Sequence, residues 1–347
     1  MNKKYKFHIN IKNISILLVL GASILLTSCG KSQNNEKEKS DKQDIKASFE
    51  VSKEDLATAR SKFQTEIVDT SFVGDGEPAT PPKEIFSLIK YPAKDGDMAA
   101  FLTPDPKDGK KHPAVIWLNG GYGGIGNDDF FWTDQPWEND QTGKAFREAG
   151  IVTMIPSFRG ENNNPGKYEM FYGEISDLES AREYLAKIPY VDPERIYVVG
   201  HSTGGTKVLL GNEFSKGFRA AFSLGGIPDL KLRIERGEMM VAIPFNQNNP
   251  EEFRLRSPRT FITSLHSPTF YFEGDQYYWS EFYEVQKIAD KSNVPFYSYK
   301  IKNADHFNII SPVNELIAKK ILEDTGEEVN IKFDKADIKW IEDNVRR

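Results

Sequence analysis

Ile196-Tyr197-Val198-Val199-Gly200-His201-Ser202-Thr203-Gly204-Gly205 decides how the rest of the chain is read. Four apolar, β-favouring residues lead into Gly-x-Ser-x-Gly, and a helical pattern follows over Thr206–Leu210. A strand that turns this sharply into a helix needs glycines beside the serine, because neighbouring side chains would collide with the bend. Such a turn lifts the Ser202 hydroxyl out of the sheet and aims the Thr203 backbone N–H at a developing oxyanion. The same residues, taken alone, also fit a glycine-rich turn whose serine caps a helix. The strand–turn–helix setting favours a nucleophile.

Working outward, strands alternate with helices. Extended runs over Ile85–Tyr91 and Met98–Thr103 flank Asp95-Gly96, a hairpin signal. Pro113–Leu118 is a continuous apolar strand that ends in Asn119-Gly120-Gly121-Tyr122-Gly123-Gly124. A helix over Gln141–Ala149, a strand over Ile151–Ile155 and a helix over Glu174–Lys187 follow. The last presents Leu178, Ala181, Tyr184 and Leu185 on one face. Further strands fit Phe218–Leu224, Thr269–Phe272 and Pro295–Lys300. Apolar strands joined by helices imply an α/β architecture, a mostly parallel sheet with helices on both faces. Chemistry in such sheets sits at the carboxyl ends of the strands.

A hydroxyl is a poor nucleophile at neutral pH and needs a base. Of five histidines, His8 lies in the N-terminal leader and His112 at the wrong end of a strand. His201 sits inside the turn, and His266 precedes the strand at Thr269. His306, in Asn303-Ala304-Asp305-His306-Phe307-Asn308, follows the last strand and falls at the catalytic edge.

From about Phe86 to Ile321 the sequence resembles the α/β-hydrolase superfamily, and within it the prolyl oligopeptidase and dienelactone-hydrolase-like branch. The resemblance rests on Ala114-Val115-Ile116-Trp117-Leu118-Asn119-Gly120-Gly121, on Pro156-Ser157-Phe158-Arg159-Gly160 and on Tyr190-Val191-Asp192-Pro193-Glu194-Arg195-Ile196 leading into the serine turn. It continues in Arg256-Ser257-Pro258, Ser267-Pro268-Thr269 and Glu273-Gly274-Asp275. It implies the α/β-hydrolase fold and a serine hydrolase with a Ser-His-Asp triad. It also implies an oxyanion loop at Asn119-Gly120-Gly121-Tyr122, where a backbone N–H at Gly121 or Tyr122 would join that of Thr203. The family's usual histidine before the double glycine is Asn119 here. Residues 30–84 are too few for the N-terminal propeller of the oligopeptidases, so a stand-alone hydrolase is expected. The family's Gly-x-x-Asp would put the acid at Tyr277, which is not a carboxylate. Asp275 is then the first candidate, ahead of Glu273 and Asp229.

Between Asp229 and Ser264 the strand pattern lapses, and a short cap insertion over the site is expected. Phe130, Phe131, Trp132, Trp137, Tyr277, Tyr278 and Trp279 are candidates to line an apolar pocket for an acyl or aryl group. Lys231, Arg233, Arg236, Arg254, Arg256 and Arg259 give the cap a basic bias, which suits an anionic substrate or simply a solvated helix face. Glu161-Asn162-Asn163-Asn164-Pro165-Gly166 reads as a loop, with no metal site. No phosphate or dinucleotide fingerprint is present, and the expected chemistry needs no cofactor.

The N-terminus reads as an address. Lys3, Lys4, Lys6 and Lys12 precede an uncharged run over Ile14–Leu26, too short to span a membrane comfortably. Leu26-Thr27-Ser28-Cys29 resembles the bacterial lipoprotein box, which implies lipidation of Cys29, the only cysteine. Residues 1–28 are thus expected to be a signal peptide, 29–50 a flexible tether and 51–347 the hydrolase domain. Without 1–28 the chain carries 41 basic against 51 acidic residues, a net of −10 in place of −6. That balance excludes nucleic acid as a partner, since phosphates need a basic surface. The expected partners are a small ester or peptide-like substrate and a lipid bilayer in the cell envelope, outside the cytoplasm. An esterase or amidase working through an acyl-enzyme is the leading reading. A small exopeptidase and a catalytically silent binding module are the alternatives.

Overall fold

The computed structural model describes residues 49–346. The expected signal peptide, Cys29 and nearly all of the expected tether therefore lie outside the described residues.

The sheet contains β1 (Ser87–Ala93), β2 (Gly96–Leu102), β3 (His112–Leu118), β4 (Val152–Pro156), β5 (Val191–His201), β6 (Ala221–Leu224), β7 (Thr269–Gly274) and β8 (Phe296–Ile301). Their order is β1-β2-β4-β3-β5-β6-β7-β8. The β1–β2 hairpin pairs antiparallel with itself and with β4, and every other pairing is parallel. Along the chain the helices are α1 (Leu56–Ser61), α2 (Lys144–Glu148), α3 (Gly173–Leu185), α4 (Thr203–Phe214), α5 (Leu230–Glu235), α6 (Pro250–Arg254), α7 (Glu281–Ser292), α8 (Ile310–Glu323) and α9 (Lys335–Asn344). This is the α/β-hydrolase fold.

Strand period decides which helix covers which face. Val115, Trp117, Tyr197, Val199, Phe222, Leu224, Phe270 and Phe272 point to one side and pack with Phe146 of α2, Ile310, Val313 and Ile317 of α8, and Ile341 of α9. Their neighbours Ala114, Ile116, Leu118, Ile196, Val198 and Ala221 point to the other and meet Leu178, Ala181 and Leu185 of α3 and Val208 of α4. Side chains alternate across a strand, so both faces of the central strands must be apolar once both are covered. That is why β3 reads as an unbroken apolar run.

Several boundaries differ from expectation for local reasons. The helix expected over Gln141–Ala149 starts at Lys144, because Gly143 sits at φ +67° and breaks the helical path before it. The helix after the serine starts at Thr203 itself and runs to Phe214. The cap region is α5, α6 and two 3₁₀ turns, Pro258–Thr260 and Ile262–Ser264. Its second half is largely core, and Leu230, Phe253, Leu255 and Phe261 are buried against α1 and α4 residues such as Leu56 and Leu210. Arg60 of α1 closes the same cluster by donating to the carbonyls of Phe171, Tyr172 and Leu255.

Candidate active site

The turn after β5 is tight because of what it lacks. A Cβ on Gly204 would come within 2.0 Å of the Leu118 carbonyl oxygen, so only glycine lets α4 start this close to β3. Ser202 itself is held at φ 56°, ψ −116°, a conformation outside the ordinary wells that costs on the order of 1–3 kcal/mol. Its N–H donates to the Leu224 carbonyl at 2.7 Å, which ties the turn to β6. Thr203 is the first residue of α4, where backbone N–H groups have no partner within the helix.

His306 lies after β8, and its Nδ1 is 2.7 Å from Oε2 of Glu273. Glu273 is the penultimate residue of β7 and is fully buried. Its other oxygen, Oε1, accepts the Gly274 N–H at 2.7 Å. The carboxylate is therefore locked by its own backbone with one oxygen left for the imidazole. Gly225, at φ +66°, provides the room: a Cβ there would lie 2.5 Å from His306 Cε1 and 2.6 Å from Glu273 Oε2. The imidazole is packed among rings, with centroids 4.5 Å from His201, 5.1 Å from Phe307 and 6.1 Å from Tyr277.

Asp275 does not take the place expected for the acid. It is exposed in the turn beyond Gly274, and the carboxylate against His306 is Glu273. Asp229 is also committed elsewhere, capping α5 through Leu232 N–H and pairing with Arg259. Tyr277 is more than half exposed at the rim.

Ser202, Thr203, Tyr122, Gly225, Glu273 and His306 share a cavity of about 520 Å³. Among the hydrogen bonds of the described residues, none joins Ser202 to His306. Such contacts commonly tighten only when substrate is bound. On the loop after β3, the Gly121 carbonyl accepts the Thr203 hydroxyl at 2.6 Å. This fixes the planar Gly121–Tyr122 peptide, whose N–H belongs to Tyr122. Burial raises the Tyr122 phenol above its ordinary pKa, so its ring enters the cavity uncharged at neutral pH.

The structure divides the residues expected to line the pocket. Tyr277, Tyr278 and Trp279 do line it, together with Phe171, Met239 and Phe307, which were not among the expected pocket residues. Phe131 is buried in the core under the hairpin, with Phe130 and Trp132 packed beside it, and Trp137 donates to the Asn344 carbonyl. The basic bias of the cap is divided too. Arg256 is fully buried against Glu252, Arg254 pairs with Glu251 and Lys231 with Glu235. Arg233 and Arg236 reach the cavity, over the Trp279 ring, with Glu238 and Glu281 as their ion-pair partners.

Sequence reasoning missed what holds the glycine loop. Asn162 accepts Ile125 N–H and donates to the carbonyls of Gly76 and Gly126, while Asp75 accepts Gly126 N–H. Asn162 sits at φ 45°, which asparagine tolerates better than most residues, and that was the available signal.

A serine on a strained strand-to-helix turn, sharing a cavity with a carboxylate-bound histidine at the carboxyl edge of a mostly parallel sheet, defines a serine hydrolase of the α/β-hydrolase fold. Residues 137–316 match the prolyl oligopeptidase family, and the chain belongs to it. It is 28% identical over 177 residues to Dipeptidyl-peptidase 5 of Porphyromonas gingivalis, covering 48% of this chain and 24% of that one. The chain thus spans about a quarter of that relative's length. It is 25% identical over 182 residues to the uncharacterized peptidase YtmA of Bacillus subtilis, covering 50% of this chain and 67% of the relative. The hyperthermophilic esterase from Pyrobaculum calidifontis has a similar fold, with a TM-score of 0.52 at 16% identity, over 70% of this chain and 87% of the esterase.

Proposed function

We propose that the protein cleaves ester or amide bonds of small substrates through an acyl-enzyme, with Ser202 as nucleophile, His306 as general base and Glu273 as the orienting acid. One observation carries this reading: the 2.7 Å bond from His306 to a buried carboxylate in the cavity that also holds Ser202. Glu273 accepts a hydrogen bond from the Nδ1–H, which keeps the proton on Nδ1 and leaves the basic Nε2 lone pair free for the Ser202 hydroxyl. As Ser202 attacks the carbonyl, its proton passes to Nε2, and the imidazolium is stabilised by the carboxylate. The N–H groups of Thr203 and of the Gly121–Tyr122 peptide take the oxyanion, where one such donor is worth on the order of 10² to 10³ in turnover. His306 then returns the proton to the leaving alcohol or amine. Water repeats the sequence on the acyl-enzyme and frees Ser202.

The aromatic lining of the cavity favours an acyl or aryl group beside the scissile bond. The family match and the likeness to a dipeptidyl peptidase support an exopeptidase as the second reading. Parent protein and Ser202→Ala would be compared on p-nitrophenyl butyrate and on aminoacyl p-nitroanilides. Turnover of the ester alone supports the esterase, and turnover of the anilides supports the peptidase. Turnover that survives in Ser202→Ala overturns both.

The lone Cys29 after Leu26-Thr27-Ser28 supports a lipid anchor in the cell envelope. Labelled palmitate should enter the parent protein in cells and not Cys29→Ser. Incorporation into that variant would contradict the anchor.

A further inference from the structure

Behind Ser202, His201 is fully buried with an oxygen facing each ring nitrogen. Nε2 lies 2.8 Å from the backbone carbonyl of His306, and Nδ1 lies 3.2 Å from Oε1 of Gln141. A neutral imidazole has one N–H for these two acceptors. The Gln141 amide cannot turn round to relieve the conflict. Its Oε1 already accepts the Gly120 N–H at 2.9 Å, and its nitrogen donates to Asn139 Oδ1 at 3.1 Å. Burial, reinforced by the adjacent His306 ring, pushes the His201 pKa down to about 3, so the ring stays neutral under ordinary assay conditions. Its single proton therefore goes to the shorter contact.

We propose that His201 is a positioning residue: as the neutral Nε2–H tautomer it pins the His306 carbonyl, and with it the catalytic imidazole, from inside the nucleophile turn. This inference rests on the reading of His306 as the base. The physical logic is a shared reference point. The nucleophile at position 202 and the hydrogen bond that holds the base loop come from adjacent residues of one rigid turn. A shift of β8 relative to β5 is then resisted where it would separate hydroxyl from imidazole. The ring contributes packing as well, its centroid 4.5 Å from that of His306. The hydrogen bond is what distinguishes histidine from any other flat ring at this position. A misplacement of about 1 Å between reacting groups can cost on the order of 10² in rate, so the effect belongs in kcat rather than in substrate binding.

The test separates hydrogen bonding from packing. His201→Phe keeps a ring without a donor, while His201→Gln sets an amide N–H near the Nε2 position and His201→Met matches its length without one. Turnover of p-nitrophenyl butyrate would be measured per active site, counted by fluorophosphonate titration. We expect kcat per titrated site to fall roughly 10- to 100-fold in His201→Phe and His201→Met, with KM within about twofold, and His201→Gln to recover most of the loss. If the phenylalanine variant does not fold, the Gln–Met comparison carries the same contrast. Parent kcat per titrated site in the variants without a donor, or a Gln variant no better than Met, would overturn the proposal. A parent protein that the fluorophosphonate fails to label would instead overturn the Ser202 reading itself, and this inference with it.

Discussion

Glu273→Gln should nearly abolish turnover, and the reason is set by the hydrogen bonds of the carboxylate. Oε1 accepts the Gly274 N–H, and Oε2 faces His306 Nδ1, each at 2.7 Å. A glutamine in the same place must keep its oxygen toward the Gly274 N–H, so its NH₂ group turns to the imidazole. The NH₂ can only donate, so Nδ1 must accept and the ring proton moves to Nε2, where it blocks transfer from Ser202. A wrong tautomer of this kind costs about 10⁴ in kcat in serine proteases, and a site of the same geometry should lose on the order of 10³ to 10⁴. Asp275→Asn changes an exposed turn and should stay within about twofold of the parent. Steady-state hydrolysis of p-nitrophenyl butyrate by both variants, with far-ultraviolet circular dichroism as a control for folding, makes the comparison. A Glu273→Gln protein within tenfold of the parent, or a larger loss in Asp275→Asn, would refute the reasoning.

Four further outcomes follow from packing and burial. Gly225→Ala should fold yet lose on the order of 10² in kcat, since its methyl would press on both His306 and Glu273; parent turnover would show that the pair has room to spare. Arg256→Met leaves the buried Glu252 carboxylate without its guanidinium partner and should lower urea-unfolding stability by about 3–5 kcal/mol, with part of the loss returned by adding Glu252→Gln. His201, neutral in the fold down to about pH 3, takes up a proton in the unfolded chain from about pH 6.5 downward. Its contribution to stability is therefore present above pH 6.5 and is lost as pH falls, by about 5 kcal/mol in full. Glu174 works the other way, because burial raises its pKa to about 7 and costs stability as pH rises from about 4.5 to 7. Thermal midpoints of the parent and His201→Phe should converge as pH drops from 6.5 to 4, and a constant gap would contradict the assignment.

The parts of the site that were legible in the sequence are those built from local rules. The serine turn announces itself because only glycines permit a strand to bend this sharply into a helix. His306 follows from strand order, since the carboxyl edge of the sheet collects whatever comes after β8. The carboxylate that meets His306 was not legible, because that contact is made by residues far apart in sequence. Side chains alternate along β7, so Glu273 lies on the face opposite Phe272, where Gly225, just after β6, leaves space for a carboxylate to reach the His306 ring. Asp275, one residue past Gly274, is exposed to solvent instead. Gln141 and His201 were hidden for the same reason. Each has its role through a partner that the fold brings from 60 or 105 residues away.

The most direct test of the account is covalent labelling of the native protein by a fluorophosphonate, with the modified residue located by peptide mass spectrometry. A single adduct on Ser202 is predicted, absent in Ser202→Ala and formed orders of magnitude more slowly in His306→Ala. No adduct, an adduct on another residue, or parent-rate labelling of His306→Ala would contradict it.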